Sequence, residues 1–534
     1  AVRTLRQRGI EAFAVCYLHS FANPAHEQRT RELILEEYPQ ALVSLSSDVL
    51  PLVREYERSM ATVLNVYVMP AVSRCVERLE QRLAEADIQA PLLIMKSNGG
   101  VTSAPEVRKA PAHTALSGPA AGVVGAGFIG AAAGFQDVIG IDIGGTSADI
   151  SMIKGGNFTL SESGQIGEWP LALPMIDINT VGTGGGSIAA VTANGALTVG
   201  PRSAGARPGP ACYGLGGEQA TVTDAHLTLG RLPPSLLGGA MTLDIDAARK
   251  AVETHVAKPL GLSIEAAAEG ILSISNNDMV GAIRVVSIER GEDPRQFALI
   301  PFGGAGPLHG SDMARLLGMK TVIIPPSPGV LSALGLLVST LRADYAQTCV
   351  ETPAYDYTRI AGVFAALEQQ AADWFTRENA PPDARRQSRQ ASLRYRNQGF
   401  ELTVPWAGDT VDAAATEATV ERFHDLHEQL YTFAQRDTVV EIVNLRVAAA
   451  CELARPKLIE WESGGSLVEA EVGRHDVWFD DAWRKVPVYE RAKLAAGVEI
   501  VGPAVFMQLD ATSIILPNER AVTDRYGNLI VSTG

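Results

Sequence analysis

Cysteine is scarce and scattered in this chain. Five residues, Cys16, Cys75, Cys212, Cys349 and Cys451, occur among 534 positions, and none shares a C-x-x-C spacing. An odd, unclustered set argues against a disulfide framework and reads as reduced thiols filling a core. The nine histidines form no H-E-x-x-H or comparable ligand pattern. The closest approach is His424 and His427 in "FHDLHEQL", which are expected to share a helix face rather than a metal. Basic charge is also in deficit, since the formal net charge is −15. That leaves no basic face to release counterions from a nucleic acid. It does not exclude a phosphate ligand, because backbone N–H groups and a metal ion hold phosphate without net positive charge.

No signal peptide is visible, and the opening "AVRTLRQRGIEAFAV" reads as an amphipathic helix feeding a strand. One run, Pro111 to Gln136, contains no Asp, Glu, Lys or Arg and is long enough to span a bilayer. Its glycines make a poor membrane helix but a good buried one. Gly122, Ala126, Gly130 and Gly134 recur every four residues, so one face lets another backbone approach closely. The expectation is a soluble, cytoplasmic protein with no membrane contact.

The hydrophobic fraction of 46% with 20% charged residues is that of globular protein, and the length suits two to four domains. Over residues 1–115, strand and helix signals alternate ("AFAVCYLHSF", "AHEQRTRELILEEYP", "TVLNVYVMPAVSRCVERLEQRLAEA", "APLLIMKSNGGV"), which points to α/β architecture. From 116 to 349, short apolar runs are cut by glycine-rich turns. Residues 350–534 read as a mixed, β-rich domain with helices at "VFAALEQQAADWFTRE" and "ATVERFHDLHEQLYTF". No internal repeat stands out.

The chemistry concentrates in the middle segment. In "VIGIDIGGTSADISMI" a strand ends on Asp142, crosses Gly144, Gly145 and Thr146, and meets a second acid at Asp149. Asp142 is placed to hold a water of a Mg²⁺ that bridges phosphates, since Mg²⁺ keeps most of its waters; a plain hairpin corner is the competing reading. Upstream, Ser117, Gly118 and Pro119 open the small-residue helix. Downstream, "FALIPFGGAGPLHG" runs a strand into Gly303, Gly304 and Gly306 and then a helix, as a nucleotide is received at a helix N-terminus. "PPSPGVLSALGLL" opens another small-residue helix. Two such pairs suit two lobes closing on a nucleotide with crossing helices beneath.

In this order the motifs resemble the actin, Hsp70 and sugar-kinase superfamily (ribonuclease H-like ATPase lobes). "SGPAAGVVGA" and "PGVLSALGLL" correspond to its connecting helices, "IDIGGTSAD" to its second phosphate loop and "PFGGAGPLHG" to its adenosine loop. More specifically, "NPAHEQR", "SLSSDVLPLVREYERS", "IMKSNGGV", "DIGGTSADIS", "GTGGGSIA", "GPACYGLGG" and "TVTDAHLTLGR" are similar to the hydantoinase A/oxoprolinase family. "LRYRNQGFEL" and "EIVNLRV" extend the likeness over essentially the whole chain. The sequence departs from the family pattern in having one D-x-G-G-T loop rather than two, so the first lobe is expected to be incomplete.

The resemblance implies an ATP- and Mg²⁺-dependent hydrolase subunit that opens a cyclic amide (a hydantoin, 5-oxoproline or related lactam) by phosphoryl activation of the amide oxygen. It implies a companion B-type subunit within an oligomer. The alternatives are a ketone carboxylase subunit (acetone or acetophenone type) and a nucleotide-gated scaffold with little turnover. Under it, Asp142 binds Mg²⁺, and Asp149 is a second acid or caps the following strand. Gly144, Gly145 and Thr146 meet phosphate, and Gly303, Gly304 and Gly306 meet the nucleoside side. Gly184, Gly185, Gly186 and Ser187 are a third cradle or a structural turn. Asp224 is expected as a helix cap, and His226 and His309 as packed histidines. Arg54, Glu55 and Arg58 are expected as a solvated ion cluster.

Overall fold

The computed structural model describes residues 1–161, 164–462 and 466–534. The chain divides into two compact units, each assembled from three stretches. The first contains residues 1–120, 160–176 and 339–455; the second contains residues 121–159, 177–338 and 456–534. These bounds cut across the expected division at 115/116 and 349/350. The reason is strand pairing between segments hundreds of residues apart, which the local texture of the sequence does not encode.

In the first unit the long strands Leu341–Glu351, Arg385–Tyr395 and Val440–Cys451 form the centre of a six-stranded sheet. Leu341 pairs with Val101, which adds the hairpin built from Leu93–Met95 and Val101–Ser103 to that sheet. The expected β-rich C-terminal domain is therefore partly a continuation of N-terminal material. The helix Tyr357–Arg377 buries Ile360, Phe364, Leu367, Ala371 and Trp374, an i, i+4, i+7 stripe that faces the core. Fully burying each large apolar side chain stabilises by about 1.5–3 kcal/mol.

One expectation for this unit is corrected. Arg58 is not solvated: it is 1% exposed and donates to the carbonyls of Leu52 (2.8 Å) and Tyr17 (3.0 Å). Glu27, fully buried, accepts from the Tyr17 and Ser47 amides and the Ser46 hydroxyl, so the pair knits the segment together. Only Arg54 stays exposed, paired with Glu401 at 2.9 Å. His424 and His427 do share a helix face, and both rings are engaged. His424 Nδ1 meets the Tyr395 hydroxyl at 2.8 Å, and His427 Nδ1 donates to the Phe433 carbonyl at 2.8 Å.

The second unit holds the glycine-rich motifs. Its elements used below are α1 (Ser117–Ala132), β1 (Val138–Ile143), β2 (Ala148–Lys154), β3 (Ile178–Val181), α2 (Val222–Thr228), α3 (Ile264–Val286), β4 (Ala298–Phe302), α4 (Gly306–Leu317), β5 (Thr321–Ile324) and α5 (Leu331–Val338). The unit boundary falls within the first turn of α1. A nine-stranded sheet has the path β3-β2-β1-β4-β5 followed by Leu529–Ser532, Arg520–Thr523 and Glu499–Val501, with Asn157–Phe158 beside β2. β1, β4 and β5 are parallel, while β1–β2 and β2–β3 are antiparallel. The parallel centre is buried on both faces, and its strands are accordingly continuous apolar runs such as "ALIPF". Ile139, Ile141, Leu299 and Val322 join Met279 and Ile283 of α3 and Met313 of α4 in one core.

The expected small-residue contact is present, with a refinement. Gly122 faces Phe302 and Ser332, and Gly130 faces Val138. Gly125 opposes the Leu331 carbonyl, and a Cβ on Gly335 would collide with the backbone of Ala121. Helices α1 and α5 therefore meet backbone to backbone through Ala121, Gly125, Leu331 and Gly335. Gly134 lies beyond α1 with φ +90 and contributes a chain reversal rather than a contact. Among the described residues no helix is long and apolar enough to cross a membrane.

Candidate functional site

β1 and β2 form a hairpin in which Asp142 lies directly opposite Asp149. The corner is thus the turn of a hairpin. Two half-buried carboxylates facing each other repel, and both titrate upward. Burial pushes Asp142 up to about 6, with the charge of Asp149 adding to it. Asp149 is raised by burial, opposed by the Thr180 hydroxyl, which donates to it at 2.5 Å from β3. Such an unrelieved acid pair suits a divalent cation, and its carboxylate oxygens suit a hard one. Among the described residues there is no cluster of three or more His, Cys, Asp or Glu side chains. The donor set fits Mg²⁺ held by one or two carboxylates with phosphate and water completing its shell.

The corner itself is exposed at Gly144, Gly145 and Thr146. The Gly144 amide closes the turn onto the Ser147 carbonyl at 3.1 Å, whereas the amides of Gly145 and Thr146 have no partner among the described residues. Unpaired amide donors on an exposed turn are what an anion would satisfy.

The "GTGGGS" segment braces this corner. Gly185 and Gly186 donate to the carbonyls of Gly144 (3.0 Å) and Gly145 (2.6 Å). The Gly184 amide meets the Ser187 hydroxyl at 2.8 Å, and the Ser187 amide meets the Gly184 carbonyl at 3.0 Å. All four amides are therefore engaged within the protein. A Cβ on Gly184 would come within 2.7 Å of the Gly144 carbonyl, so glycine is required by loop-on-loop contact. The Gly185 carbonyl in turn accepts from the amide and hydroxyl of Thr223, both at 2.8 Å, which ties the stack to α2.

The "PFGGAG" turn follows β4, whose Phe302 pairs with Asp142 in parallel register. Gly303, at φ +77, lies so close to the Asp142 carboxylate and the Ile143 carbonyl that any side chain would collide with them. Its amide donates to Pro328 at 2.8 Å, and Gly306 packs against Pro301. Of these three glycines, only Gly304 faces open space, and its amide has no partner among the described residues.

These loops form one end of a cavity of about 730 Å³. Gly144, Gly145, Gly185, Gly186 and Gly304 line that end; Leu236, Met241 and Leu308 contribute apolar wall; the turn Met507–Thr512 borders the rest. No Lys or Arg is among the described lining residues, and the acids Glu490 and Asp510 are. The 507–512 turn is held from behind by Arg491, which is buried and donates to the carbonyls of Ile324 (2.7 Å) and Gly527 (3.0 Å) and to Gln508 (3.3 Å). Sequence reading missed this wall, because nothing local in "MQLDAT" announces a partner some 360 residues upstream.

Asp224 is the expected cap. It closes a capping box with Thr221 and also accepts from the Cys212 (2.8 Å) and Ala211 (3.2 Å) amides, fixing "GPACY" against α2. His309 is packed as expected, and His226 meets it at 3.1 Å through Nε2, while its buried Nδ1 has no partner among the described residues.

A glycine turn whose Gly145 and Thr146 amides have no partner among the described residues, an opposed acid pair, and a cavity with no described Lys or Arg in its lining together make a candidate anion site. The hydantoinase/oxoprolinase family matches residues 58–345, its C-terminal domain residues 351–529 and its N-terminal region residues 1–38. The caprolactamase subunit alpha of Pseudomonas jessenii is 36% identical over 98% of this chain and 76% of its own length. 5-Oxoprolinase 1 of Arabidopsis thaliana is 32% identical over 99% of this chain and 42% of its own. Among solved structures, the ATP-dependent caprolactamase of Pseudomonas jessenii superposes with a TM-score of 0.92 at 34% identity, covering 100% of this chain and 78% of that one. Nucleotide-free acetone carboxylase gives 0.78 at 26% identity, with the same coverages. The chain belongs to the hydantoinase/oxoprolinase family.

Proposed function

We propose that this chain is a subunit of an ATP-dependent enzyme that opens a cyclic amide, a lactam or hydantoin, by phosphoryl activation of the amide oxygen. The observation that carries this reading is the hairpin corner, where the amides of Gly145 and Thr146 have no partner among the described residues and the strands leaving the turn set Asp142 opposite Asp149. On this reading the β1–β2 corner is the second phosphate loop of an actin-like ATPase lobe. The α1–α5 contact is the crossing of its connecting helices.

Ring opening needs the amide carbonyl to become a better electrophile. Attack of the amide oxygen on the γ-phosphorus, with ADP leaving, would supply that; water would then add to the activated carbon, the ring C–N bond would break with the nitrogen leaving as the protonated amine, and a second water would release the resulting acyl phosphate as carboxylate and orthophosphate. Such a transfer needs positioning and charge neutralisation more than covalent help. Gly145, Thr146 and Gly304 would orient the phosphate chain through their amides, and the bracing glycines keep those amides aimed outward. Asp142, with Asp149, would hold Mg²⁺, which when bound neutralises phosphate charge. That relatives are named as subunits supports a companion chain that completes the substrate site.

The decisive experiment measures phosphate release from Mg-ATP by the full-length protein with its partner, in the presence of lactams, hydantoins, or a ketone with bicarbonate. Stimulation by a cyclic amide, with ring-opened product in equal amount, is the expected result. Stimulation by ketone and bicarbonate alone would move the chain to the carboxylase reading. No stimulation by any of them would leave a nucleotide-gated scaffold.

A further inference from the structure

Phosphoryl transfer as drawn above leaves one polar side chain of the cavity wall without a task, the tyrosine of "GPACYGLGG". Ala211–Tyr213 form a single 3-10 turn that ends on Gly214 in the left-handed region, at φ +67. Asp224 fixes this turn by accepting from the Ala211 and Cys212 amides. Gly209, at φ +77, gives the ring its room, since a Cβ there would lie 3.0 Å from Tyr213 Cδ2. The ring is therefore set in place by the backbone on either side of it.

The two ends of Tyr213 meet different surroundings. With Leu236, Met241 and Met507, the ring packs against the apolar cluster that includes Leu308, and all five residues line the cavity. The hydroxyl lies beside the Thr223 side chain, short of a well-formed hydrogen bond. That neighbour locates it. Thr223 Oγ1 donates to the Gly185 carbonyl at 2.8 Å. A Cβ built on Gly185 would stand 2.9 Å from Thr223 Oγ1, 3.8 Å from the Gly144 carbonyl and 4.0 Å from Ala305 Cβ. The Tyr213 hydroxyl thus reaches the place where the hairpin corner, its glycine brace and the "GGAG" turn converge, and Thr223, Gly144, Gly185 and Ala305 all line the cavity there.

The oxygen is open to that space. A polar atom without a well-formed partner that was sealed from solvent would join His226 Nδ1 and Thr228 Oγ1 among the enclosed atoms, and Tyr213 Oη is not one of them. Burial, with the Cys212 thiol and the Asp224 carboxylate close by, holds the phenol above the ordinary tyrosine range, so it keeps its hydrogen. Turning about the C–O bond is enough to aim that hydrogen at the cavity. A hydrogen bond to an ionised acceptor is about twice as strong as one between neutral groups. Close to the glycine turns and their outward amides, a phosphate oxygen is such an acceptor.

We infer that the Tyr213 hydroxyl donates a hydrogen bond to the phosphate chain of the bound nucleotide, which gives a site built on backbone amides an uncharged side-chain donor. The inference rests on the ATP reading above and adds to it a contact that can be located one phosphate at a time.

The test is calorimetric titration of the full-length wild type and of Tyr213→Phe with ATP, ADP, AMP and adenosine, Mg²⁺ being present throughout. The variant keeps the ring and removes one oxygen. It should bind ATP about 10-fold more weakly than the wild type does, bind adenosine equally well, and unfold at the same urea midpoint without ligand. The shortest nucleotide to show the loss identifies the phosphate contacted. Equal ATP affinity in the two proteins would overturn the inference and leave the ATP reading intact. So would an equal loss for ATP and adenosine, or a lowered midpoint accompanying the loss, since either marks a packing role. A wild type that binds no ATP would overturn the ATP reading itself, and this inference with it.

Discussion

Asp142 concentrates the conflict on which the site depends. A carboxyl whose pKa rises from 3.8 to about 6 on folding binds more protons folded than unfolded in that window. Its contribution to stability therefore falls as pH rises from about 4 to 6 and stays unfavourable above it. Asp142→Asn removes one of the two facing charges. Without divalent cation at pH 7 the variant should be more stable than wild type by on the order of 1 kcal/mol. It should also lose the Mg²⁺-dependent gain in stability and the Mg-ATP turnover. Urea unfolding with and without Mg²⁺ checks this; a less stable variant that still responds to Mg²⁺ would count against the acid-pair reading. His309 carries the opposite sign. Burial lowers it to about 4, opposed by Asp312 and aided by Arg231. Its favourable contribution is complete above pH 6.5 and is lost as pH falls towards 4. Between pH 7 and 5 the wild type should lose about 2 kcal/mol from this source, and His309→Gln should flatten that slope in denaturant midpoints.

Among the elements, the strand–turn–strand of 138–154 and the glycine turn after β4 were legible in the sequence, because each is set by a short run of residues. The partner of each glycine was not. "GTGGGS" reads equally as ligand cradle or brace until the carbonyls of Gly144 and Gly145 are seen to take its amides. The period-four face of α1 was likewise visible, yet the closest approach runs through Gly125 and Gly335, which that period does not select. This contact makes a sharp contrast testable by chemical denaturation. Gly335→Ala drives a Cβ into the backbone of Ala121, which cannot yield, and should destabilise by about 1–3 kcal/mol. Gly127→Ala, whose Cβ would meet only Ile153 at an ordinary 3.4 Å, should be neutral or stabilise by up to about 1 kcal/mol through helix propensity. Equal losses in both would show that the crossing imposes no special requirement.

At the scale of the molecule, sequence texture located the segment of the candidate site but not its enclosure. The sheet that carries Asp142 is extended by Leu529–Ser532 pairing with β5, and the cavity is walled by residues 507–512. Both belong to a tail that reads by itself as a separate β-rich domain. Arg58 misleads for the same reason: in "VREYERS" it looks solvated, and only the folded surroundings of Tyr17 and Leu52 bury it. The resemblance to a family, by contrast, was fully legible, because it rests on short motifs in a fixed order.

Among the described residues no lysine or arginine lines the cavity, which has an enzymological consequence. On the proposed ATP reading, a site with acids at its margin and only uncharged donors for the phosphates would repel an uncomplexed polyanion, and the species it would admit is the nucleotide already neutralised by its metal. Initial rates should therefore follow the concentration of the Mg-ATP complex rather than total nucleotide. Free ATP in excess over Mg²⁺ should be a weak competitor, and varying the two independently would reveal an ordered dependence that a lysine-lined pocket would not impose.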